Sequence, residues 1–296
     1  MGVEFRQKGL VTMIPHASSP VKKFGELSFE EIKALTPDLT LEEAASPFAK
    51  YFYEENKLPQ EFEAIANGPA MNVEDAFEPW DYAKHMNTDG YCRVENGYCV
   101  LKSGIAYSAV MIQQPGRTNE KMDAYNKEFA PEGALAYKTW TPGAHYFHFT
   151  DGAIEDFGYG LLHMHAIFDE DSYCNGTDVT KLGVELERVK ENDPRCIWIG
   201  GNYWEHFQVL DTRISDQMIA MLIVNYLRET KEGRELRIRI FAGVGIKDGE
   251  FIRTPLPKGY SAEEIARYHM IHLMLEYGHE ARLVNQFWEE RQKSRN

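Results

Sequence analysis

The C-terminal part of the chain carries its longest helical pattern, from Ser261 to about Arg291. Ser261-Ala-Glu-Glu264 has the spacing of a capping box, and Gly278 is the only glycine in the segment. At about 100° per residue, one sector of this helix combines apolar and polar side chains, namely Ile265, His269, His272, Glu276, His279, Leu283 and Phe287. Because polar groups interrupt the apolar stripe, we expect this helix to lie across a curved sheet and to point them into an enclosed cavity.

From about residue 90 onward, a two-residue period predicts strands. The predicted strands are Tyr98–Leu101, Ile105–Ile112, Ala144–Phe149, Leu161–Phe168, Met218–Leu227 and Glu235–Gly243. The first two strands are joined by a short turn, Lys102-Ser-Gly104, and are predicted to form a hairpin. The last two strands are joined by Glu229-Thr-Lys-Glu-Gly233 and are predicted to form another. Since the chain shows no strand–helix–strand alternation, the pattern favours an α+β fold with an antiparallel sheet.

Side chains alternate along the predicted strand Glu235–Gly243. Leu236, Ile238 and Ile240 have one parity, and Arg237, Arg239 and Phe241 have the other. Because successive strand residues point to opposite faces of a sheet, this alternation predicts a hairpin with one buried face.

Residues 1–85 are predicted to form a small, mainly helical domain. Ser28-Phe-Glu-Glu31 and Thr40-Leu-Glu-Glu43 have capping-box spacing, so short helices should begin there. Asn67-Gly-Pro69 and Glu78-Pro-Trp80 interrupt the periodicity, because proline lacks a backbone donor and biases its predecessor away from helix. We therefore divide the chain into residues 1–85 and 86–296.

The composition is that of a packed globular protein with an acidic surface. Lysine and arginine number 32 against 46 aspartates and glutamates, a net charge of −14, and no basic stretch could follow a phosphate backbone, which excludes nucleic acid as a partner. The longest purely apolar run, Met218–Val224, is far shorter than the roughly 20 residues of a membrane span. With no apolar signal sequence and no CxxC among four cysteines, we expect a cytoplasmic protein.

His272 and Glu276 are four residues apart, which places both side chains on one helical face, close enough to share a metal ion. A plain hydrogen-bonded or solvated pair is the alternative, since helix faces carry such pairs often. Their place inside an apolar stripe favours the metal, because a carboxylate and an imidazole facing a cavity are costly unless something neutralises them. His269 and His279 are expected to support such a site or line the cavity.

A metal needs further ligands from the sheet, and histidines between residues 145 and 165 supply candidates. His163 and His165 share parity and point to the same face of one strand. Five residues in this part of the chain have nearly the spacing of the first metal-binding motif of cupins: Gly158, His163, His165, Glu170 and Gly176. The two outer glycines are each one residue closer to the central residues than in the cupin motif. No second cupin motif is present, so a cupin-type dioxygenase is an alternative, and a structural role for the pair is the simpler interpretation.

Other catalytic signatures are missing from the sequence. It contains no GxSxG nucleophile elbow, P-loop, GxGxxG after a strand or HExxH. The absence of these patterns argues against a serine hydrolase, an NTPase and a Rossmann enzyme.

Five spaced segments carry a resemblance to a known family. They are Gly97-Tyr-Cys-Val-Leu-Lys-Ser-Gly104, Gln114-Pro-Gly-Arg-Thr118 with Met122, Tyr137-Lys-Thr-Trp-Thr-Pro-Gly-Ala-His145, Arg228 with Gly233, Glu235, Leu236, Arg237 and Arg239, and His272-Leu-Met-Leu-Glu276-Tyr277. In this order they resemble the 2,4-diacetylphloroglucinol hydrolase and phloretin hydrolase family over roughly residues 90 to 290. The resemblance implies hydrolysis of the carbon–carbon bond between an acyl group and a polyhydroxylated aromatic ring.

The resemblance also implies a fold, a metal and ligands. It implies a catalytic helix-grip (Bet v 1-like) domain, with the sheet wrapped around the C-terminal helix, and a small N-terminal domain that takes part in homodimerisation. The implied metal is zinc, although nitrogen and oxygen ligands also suit Mn, Fe or Co. Carried over to this sequence, the ligands are His145, Glu155, His272 and Glu276.

Substrate contacts follow from the same resemblance. Tyr137 and His148 would orient phenolic hydroxyls of a small aromatic ketone, and Glu155 would pass the proton. Asn225 stands where a pocket histidine is expected and Ile240 where an aromatic residue is usual, so we expect an altered pocket. A helix-grip carrier that binds an aromatic ligand without turnover is a further alternative, but it has no need of a charged His/Glu pair.

Overall fold

A five-stranded antiparallel sheet and a long C-terminal helix are the largest elements of the described structure. A computed structural model describes residues 37–52, 57–86, 88, 90–149, 152–155, 162–166, 199–200, 204–209, 221–230, 233–247, 250–256 and 259–295. Within these ranges, none of the helices is both long and apolar enough to cross a membrane.

The regular elements are numbered in chain order. The strands are β1 (Gly97–Val100), β2 (Ala106–Gln114), β3 (His145–Phe149), β4 (Gly152–Glu155), β5 (Leu162–Ala166), β6 (Ile199–Gly200), β7 (Trp204–Val209), β8 (Met221–Thr230), β9 (Gly233–Ala242), β10 (Val244–Lys247) and β11 (Glu250–Arg253). The α-helices are α1 (Leu41–Ala45), α2 (Gln60–Ala66), α3 (Tyr82–Met86), α4 (Asn119–Glu128), α5 (Ala134–Trp140) and α6 (Ala262–Arg295). Short 3-10 helices occupy Ala49–Tyr51, Val73–Asp75, Pro79–Asp81 and Ala130–Glu132.

Five strands form one antiparallel sheet in the order β1-β2-β9-β8-β6. Both predicted hairpins are present, since β1 pairs with β2 and β8 pairs with β9. The two hairpins join through β2 and β9, which run side by side from Ala106 opposite Ala242 to Gln114 opposite Arg234. The prediction of an α+β fold with an antiparallel sheet and a long C-terminal helix is confirmed, and the narrower helix-grip assignment stays a prediction.

Local capping sets the start of α6. The Ser261 hydroxyl accepts a hydrogen bond from the Glu264 amide at 3.2 Å, and the Glu264 carboxylate accepts one from the Ser261 amide at 2.8 Å. Thr40 and Glu43 form the same reciprocal pair at α1. Both capping boxes were predicted from sequence and are confirmed, whereas the predicted box at Ser28 lies outside the described residues.

One face of the five-stranded sheet packs against α6. Its apolar side chains, contributed by alternate strand positions, meet one side of the helix in a cluster that includes Val110, Ile223, Ile238, Ile240, Met270 and Met274. Each fully buried side chain of this kind stabilises the fold by about 1.5–3 kcal/mol. The Ser108 hydroxyl, on the same face of β2, donates to the Ala266 carbonyl at 2.7 Å and ties the helix to the middle of the sheet.

The opposite face of the sheet is buried as well, so the prediction of one buried face is wrong. Arg237 and Arg239 are fully buried, although their parity was expected to face away from the core. The alternation of side chains along a strand shows which residues share a face of the sheet, but it does not show what packs on that face. Here Phe77, Tyr82 and Met86 cover it and join the strand residues in a second apolar cluster.

The carboxylate of Glu95 contacts both buried arginines. The Glu95 carboxylate accepts hydrogen bonds from Arg237 Nη2 at 2.6 Å and from Arg239 Nη2 at 2.5 Å. Burial alone would raise the pKa of Glu95, but the charges and hydrogen bonds of Arg239 and Arg237 outweigh it and hold that pKa below its ordinary value. Glu95 therefore stays ionised and compensates the guanidinium groups inside the fold.

Residues N-terminal to the predicted boundary at 85 also pack on the sheet and on the helices. Phe62 and Ala66 of α2 belong to the cluster that faces α6. Farther from the sheet, the fully buried Lys138 of α5 donates to Glu43 Oε2 at 2.9 Å and to the Asp38 carbonyl at 2.8 Å. The division at residue 85 and the dimerisation of residues 1–85 stay predictions.

Candidate metal centre

Two ligand-type side chains project from the middle of α6. His272 is fully buried and Glu276 is 7% exposed. His272 Nε2 lies 3.4 Å from Glu276 Oε2, the proximity expected for side chains one helical turn apart. A carboxylate buried in this way needs a compensating positive charge.

A third side chain, His145, reaches these two from another element. It is the first residue of β3, and its amide donates to the Thr141 carbonyl at 3.1 Å in the tight turn that follows α5. The imidazole is fully buried and stacks on the Tyr137 ring with centroids 3.9 Å apart. Its Nδ1 lies 2.9 Å from the Tyr137 carbonyl, which can only accept, so Nδ1 is the donor in this contact and Nε2 is the ring nitrogen that faces Glu276 on α6.

Together these three groups fit a divalent cation. Their potential ligand atoms all lie within 4.8 Å of one another, and all three residues are buried. Each oxygen of Glu276 faces a different imidazole: Oε1 lies 4.0 Å from His145 Nε2, and Oε2 lies beside His272. Imidazole nitrogens and a carboxylate oxygen are common zinc ligands, and a cation would compensate the buried carboxylate. The group could therefore hold a metal ion.

The strand pair β3–β4 brings a fourth predicted residue next to this group. Glu155 is paired with His145 across the two strands, with a register irregularity between His145 and Phe147. Residues directly opposite in antiparallel strands are close neighbours, about 5 Å apart at Cβ. His148 lies farther along β3, opposite Ala153. For Glu155 and His148 the description is confined to the backbone, so their predicted roles stay predictions.

The other predicted site residues lie on α5 and on the sheet. Tyr137 is half-buried and contacts His145 through its ring and its carbonyl. Ile240 is fully buried in the cluster that faces α6. Asn225 is opposite Ile238 in the register of β8 and β9, a position with the parity of the α6-facing Ile223. Positions 225 and 240 thus lie on the sheet face that α6 covers.

His279 is buried one turn beyond Glu276, and His269 is buried one turn before His272. Burial, with a smaller contribution from the nearby Arg282, lowers the pKa of His279 to about 4. The imidazole is therefore neutral in the folded protein at neutral pH. Because a buried neutral histidine must gain a proton when the chain unfolds in acid, His279 links stability to pH.

We expect the free energy of unfolding to fall as the pH falls from 6.5 to 4. In this window the unfolded chain binds a proton at His279 that the folded chain does not, and the shift corresponds to about 3 kcal/mol in total. His279→Gln, which cannot titrate, should flatten this part of the profile. Urea unfolding of both proteins between pH 4 and 7.5 measures it, and identical slopes would contradict the assignment.

Sequence reasoning missed a second buried polar group on α6. Glu280, one turn beyond Glu276 and 3% exposed, accepts hydrogen bonds from Gln114 and Arg117. Helical periodicity could have identified Glu280, because it lies about 40° from Glu276 around the helix, next to the sector that contains His272 and Glu276. Gln114 and Arg117 stand in the quoted segment Gln114–Thr118, but no pattern in the sequence pairs them with α6.

Comparison with known families agrees with the geometry of this site. The family model described as the DAPG hydrolase PhiG domain matches residues 77–289. The chain belongs to this family. The match covers α6 as far as Glu289, the five-stranded sheet and all three residues of the buried His–His–Glu group. No curated protein matches the chain significantly.

Membership in the DAPG hydrolase family confirms the resemblance predicted from sequence and implies a hydrolase. It favours this interpretation over a cupin-type dioxygenase and over a ligand carrier. The histidines of the cupin alternative lie in β5, which pairs with β7 so that His165 is opposite His206. The family match begins at Phe77, so α1, whose Glu43 contacts Lys138, lies outside the matched region.

Proposed function

We propose that this protein is a metal-dependent hydrolase of helix-grip fold. It cleaves the carbon–carbon bond between an acyl group and a polyhydroxylated aromatic ring, as in phloretin or an acylphloroglucinol. The observation that carries the proposal is the buried group of His145, His272 and Glu276 within a chain of the DAPG hydrolase family. A carrier protein gains nothing from such a group, because burying it costs free energy without a bound cation.

In this proposal the metal is zinc, held by His145, Glu155, His272 and Glu276. Two imidazoles and two carboxylates form a neutral set with a divalent cation, which removes the cost of the buried charges. The hydrogen bond between His145 Nδ1 and the Tyr137 carbonyl fixes the imidazole with Nε2 towards the ion. The same ligand types suit Mn, Fe or Co, so elemental analysis of the purified protein has to identify the metal.

The proposed reaction needs a nucleophile for the carbonyl carbon and a proton for the departing ring carbon. A bound zinc ion would lower the pKa of a water to about 7 and polarise the carbonyl oxygen. Tyr137 and His148 orient the phenolic hydroxyls, which lets the ring tautomerise so that the carbon to be released is already tetrahedral. Glu155, or a polar neighbour, passes a proton to that carbon during the tautomerisation, and when the carbon–carbon bond breaks the ring leaves as an enolate whose oxygen takes the proton of the attacking water.

A metal titration tests this proposal. Purified protein should contain about one transition metal ion per chain, and chelation should remove activity towards an acylphloroglucinol that zinc then restores. Turnover should need neither dioxygen nor NAD(P). Full activity of the metal-free protein would contradict the proposal, and an absolute requirement for dioxygen would favour the dioxygenase.

The pocket should prefer a large acyl substituent over small acetyl groups. Asn225 and Ile240 stand where a histidine and an aromatic side chain are expected, which leaves room on the α6-facing side of the sheet, where Ile240 is buried. Ile240→Phe should fill that room and lower kcat/KM for phloretin more than for diacetylphloroglucinol, by about 10-fold or more. Equal kcat/KM values for both substrates in the wild type, or no loss in the variant, would contradict this account of the pocket.

A further inference from the structure

Tyr137 of α5 contacts the imidazole of His145 in two ways. Its carbonyl lies 2.9 Å from His145 Nδ1, and the two rings stack with centroids 3.9 Å apart. This carbonyl belongs to the last turn of α5, where carbonyl groups lack an amide partner further along the helix. The direction in which His145 presents Nε2 to the candidate metal centre therefore depends on where the end of α5 lies.

Lys138, the next residue of α5, connects this helix to the N-terminal segment (residues 38–52). Lys138 is fully buried, and its ammonium group donates to Glu43 Oε2 at 2.9 Å and to the Asp38 carbonyl at 2.8 Å. Glu43 Oε2 also accepts from the Thr40 amide at 2.8 Å, within the capping box of α1. Because charge-assisted hydrogen bonds are directional, this contact fixes the position of α5 more closely than apolar packing alone would.

The N-terminal segment also contacts the start of α5 and the side of α6. The Ser46 hydroxyl donates to Glu132 Oε2 at 2.7 Å, just before α5 begins, and the Tyr51 hydroxyl donates to Glu290 Oε2 of α6 at 3.0 Å. Apolar side chains of the segment share a cluster with side chains of both helices, including Leu39, Phe52, Leu135, Leu283 and Phe287. The segment therefore joins the helix that supports His145 to the helix that carries the other two candidate ligands.

We infer that Lys138 and Glu43 are positioning residues of the metal centre. The inference rests on the proposed function, in which His145 is a metal ligand. The contacts lead from Glu43 to Lys138, along α5 to the Tyr137 carbonyl, and from there to His145 Nδ1. Replacing residues that orient a metal-binding histidine typically lowers metal affinity 10- to 100-fold. Since Glu43 precedes residues 77–289, the N-terminal segment supports the site from outside the family-matched region.

The zinc affinity of a double variant tests the inference. Glu43→Gln/Lys138→Met removes both charges together, so neither remains buried alone, and it keeps side chains of similar length. Competition with a chromophoric chelator should show zinc bound about 10-fold more weakly than in the wild type, in protein that circular dichroism shows to be folded. A zinc affinity within about 3-fold of the wild type in the folded variant would overturn the inference.

Tyr51→Phe is the matched control in the same segment. It removes a hydrogen bond to Glu290, which lies about 21 Å beyond Glu276 along α6 at about 1.5 Å per residue. The variant should bind zinc as tightly as the wild type does. A loss of affinity as large as that of the double variant would show that any loosening of the segment weakens the site, which would overturn the assignment to Lys138 and Glu43.

Cobalt reports ligand geometry, which a loss of fold stability alone would not change. The visible absorption of a cobalt-loaded protein depends on the number and arrangement of the ligands. A reoriented His145 should therefore change this spectrum in the double variant and leave it unchanged in Tyr51→Phe. An unchanged spectrum in the double variant would mean that the pair only stabilises the fold, and it would overturn the inference.

The wild-type protein provides the test if the double variant does not fold. Coupling between two sites is reciprocal, so a segment that positions a ligand should in turn be stabilised when the metal binds. Hydrogen exchange of the amides in residues 38–52 should slow by about 5-fold or more on zinc loading. The two-stranded sheet β10–β11, which contains none of the proposed ligands, should slow less. Equal slowing in both places, or none in residues 38–52, would overturn the inference.

Failure of this inference is distinguishable from failure of the proposed function. If the wild type binds zinc and hydrolyses an acylphloroglucinol, and the folded double variant binds zinc equally well, the inference fails and the function stands. If the wild type binds no transition metal, the proposed function fails, and this inference fails with it.

Discussion

His272→Ala and Glu276→Ala should each lose the bound metal and reduce hydrolysis by more than about 100-fold. Residues that only support metal ligands typically cost 10- to 100-fold when they are replaced, so loss of a ligand should exceed that range. Both side chains belong to the buried group on α6, and neither is part of the apolar clusters. Metal analysis after gel filtration, together with kcat/KM for an acylphloroglucinol, measures both effects.

The same experiment has a matched control within the chain. His163→Gln replaces a histidine of β5 that this account does not assign to the metal, and it should keep both metal and activity. Far-UV circular dichroism shows whether the α6 variants remain folded. Full metal occupancy in His272→Ala or Glu276→Ala would contradict the ligand assignment, and metal loss in His163→Gln would favour the cupin alternative.

Glu95→Ala should destabilise the fold by about 3–5 kcal/mol, the largest effect on stability that we expect from one substitution. The change leaves Arg237 and Arg239 buried without the carboxylate that both contact. Removing one partner of a buried ion pair costs this much because the remaining charge is uncompensated. Urea unfolding at pH 7 measures the loss of free energy.

Glu74→Ala provides the control for this prediction. Glu74 pairs with Lys102 at 2.7 Å, but both side chains are about two-thirds exposed. An exposed pair of this kind contributes well under 1 kcal/mol, because water solvates and screens the charges. A loss below 1 kcal/mol in Glu95→Ala, similar to the control, would show that the arginines find other partners.

Features set by local sequence were predicted well. Helix α6 begins where the Ser261–Glu264 capping box places it, and both hairpins occupy the segments that the two-residue period indicates. His272 and Glu276 were recognisable because helical spacing alone brings them together. In each case the residues that decide the structure lie within a few positions of one another.

Features set by long-range contacts were not predictable from pattern. Burial of Arg237 and Arg239 depends on the segment that covers the second face of the sheet and on Glu95, and alternation along β9 cannot report either. His145 was one of several candidate histidines between residues 145 and 165, and only the family resemblance selected it, because nothing local connects it with α6. Its hydrogen bond to the Tyr137 carbonyl could not be predicted either, because every residue has a backbone carbonyl and the sequence does not mark which one is used.

The most direct test of the account is hydrolysis of phloretin in water labelled with heavy oxygen, under nitrogen, by zinc-loaded protein. Mass spectrometry of the products measures where the label goes. The account predicts phloroglucinol and an arylpropionic acid whose carboxylate carries one labelled oxygen, because water attacks the carbonyl carbon and the ring carbon takes the proton. Failure to form the acid without dioxygen, or an acid without label, would contradict metal-dependent carbon–carbon hydrolysis.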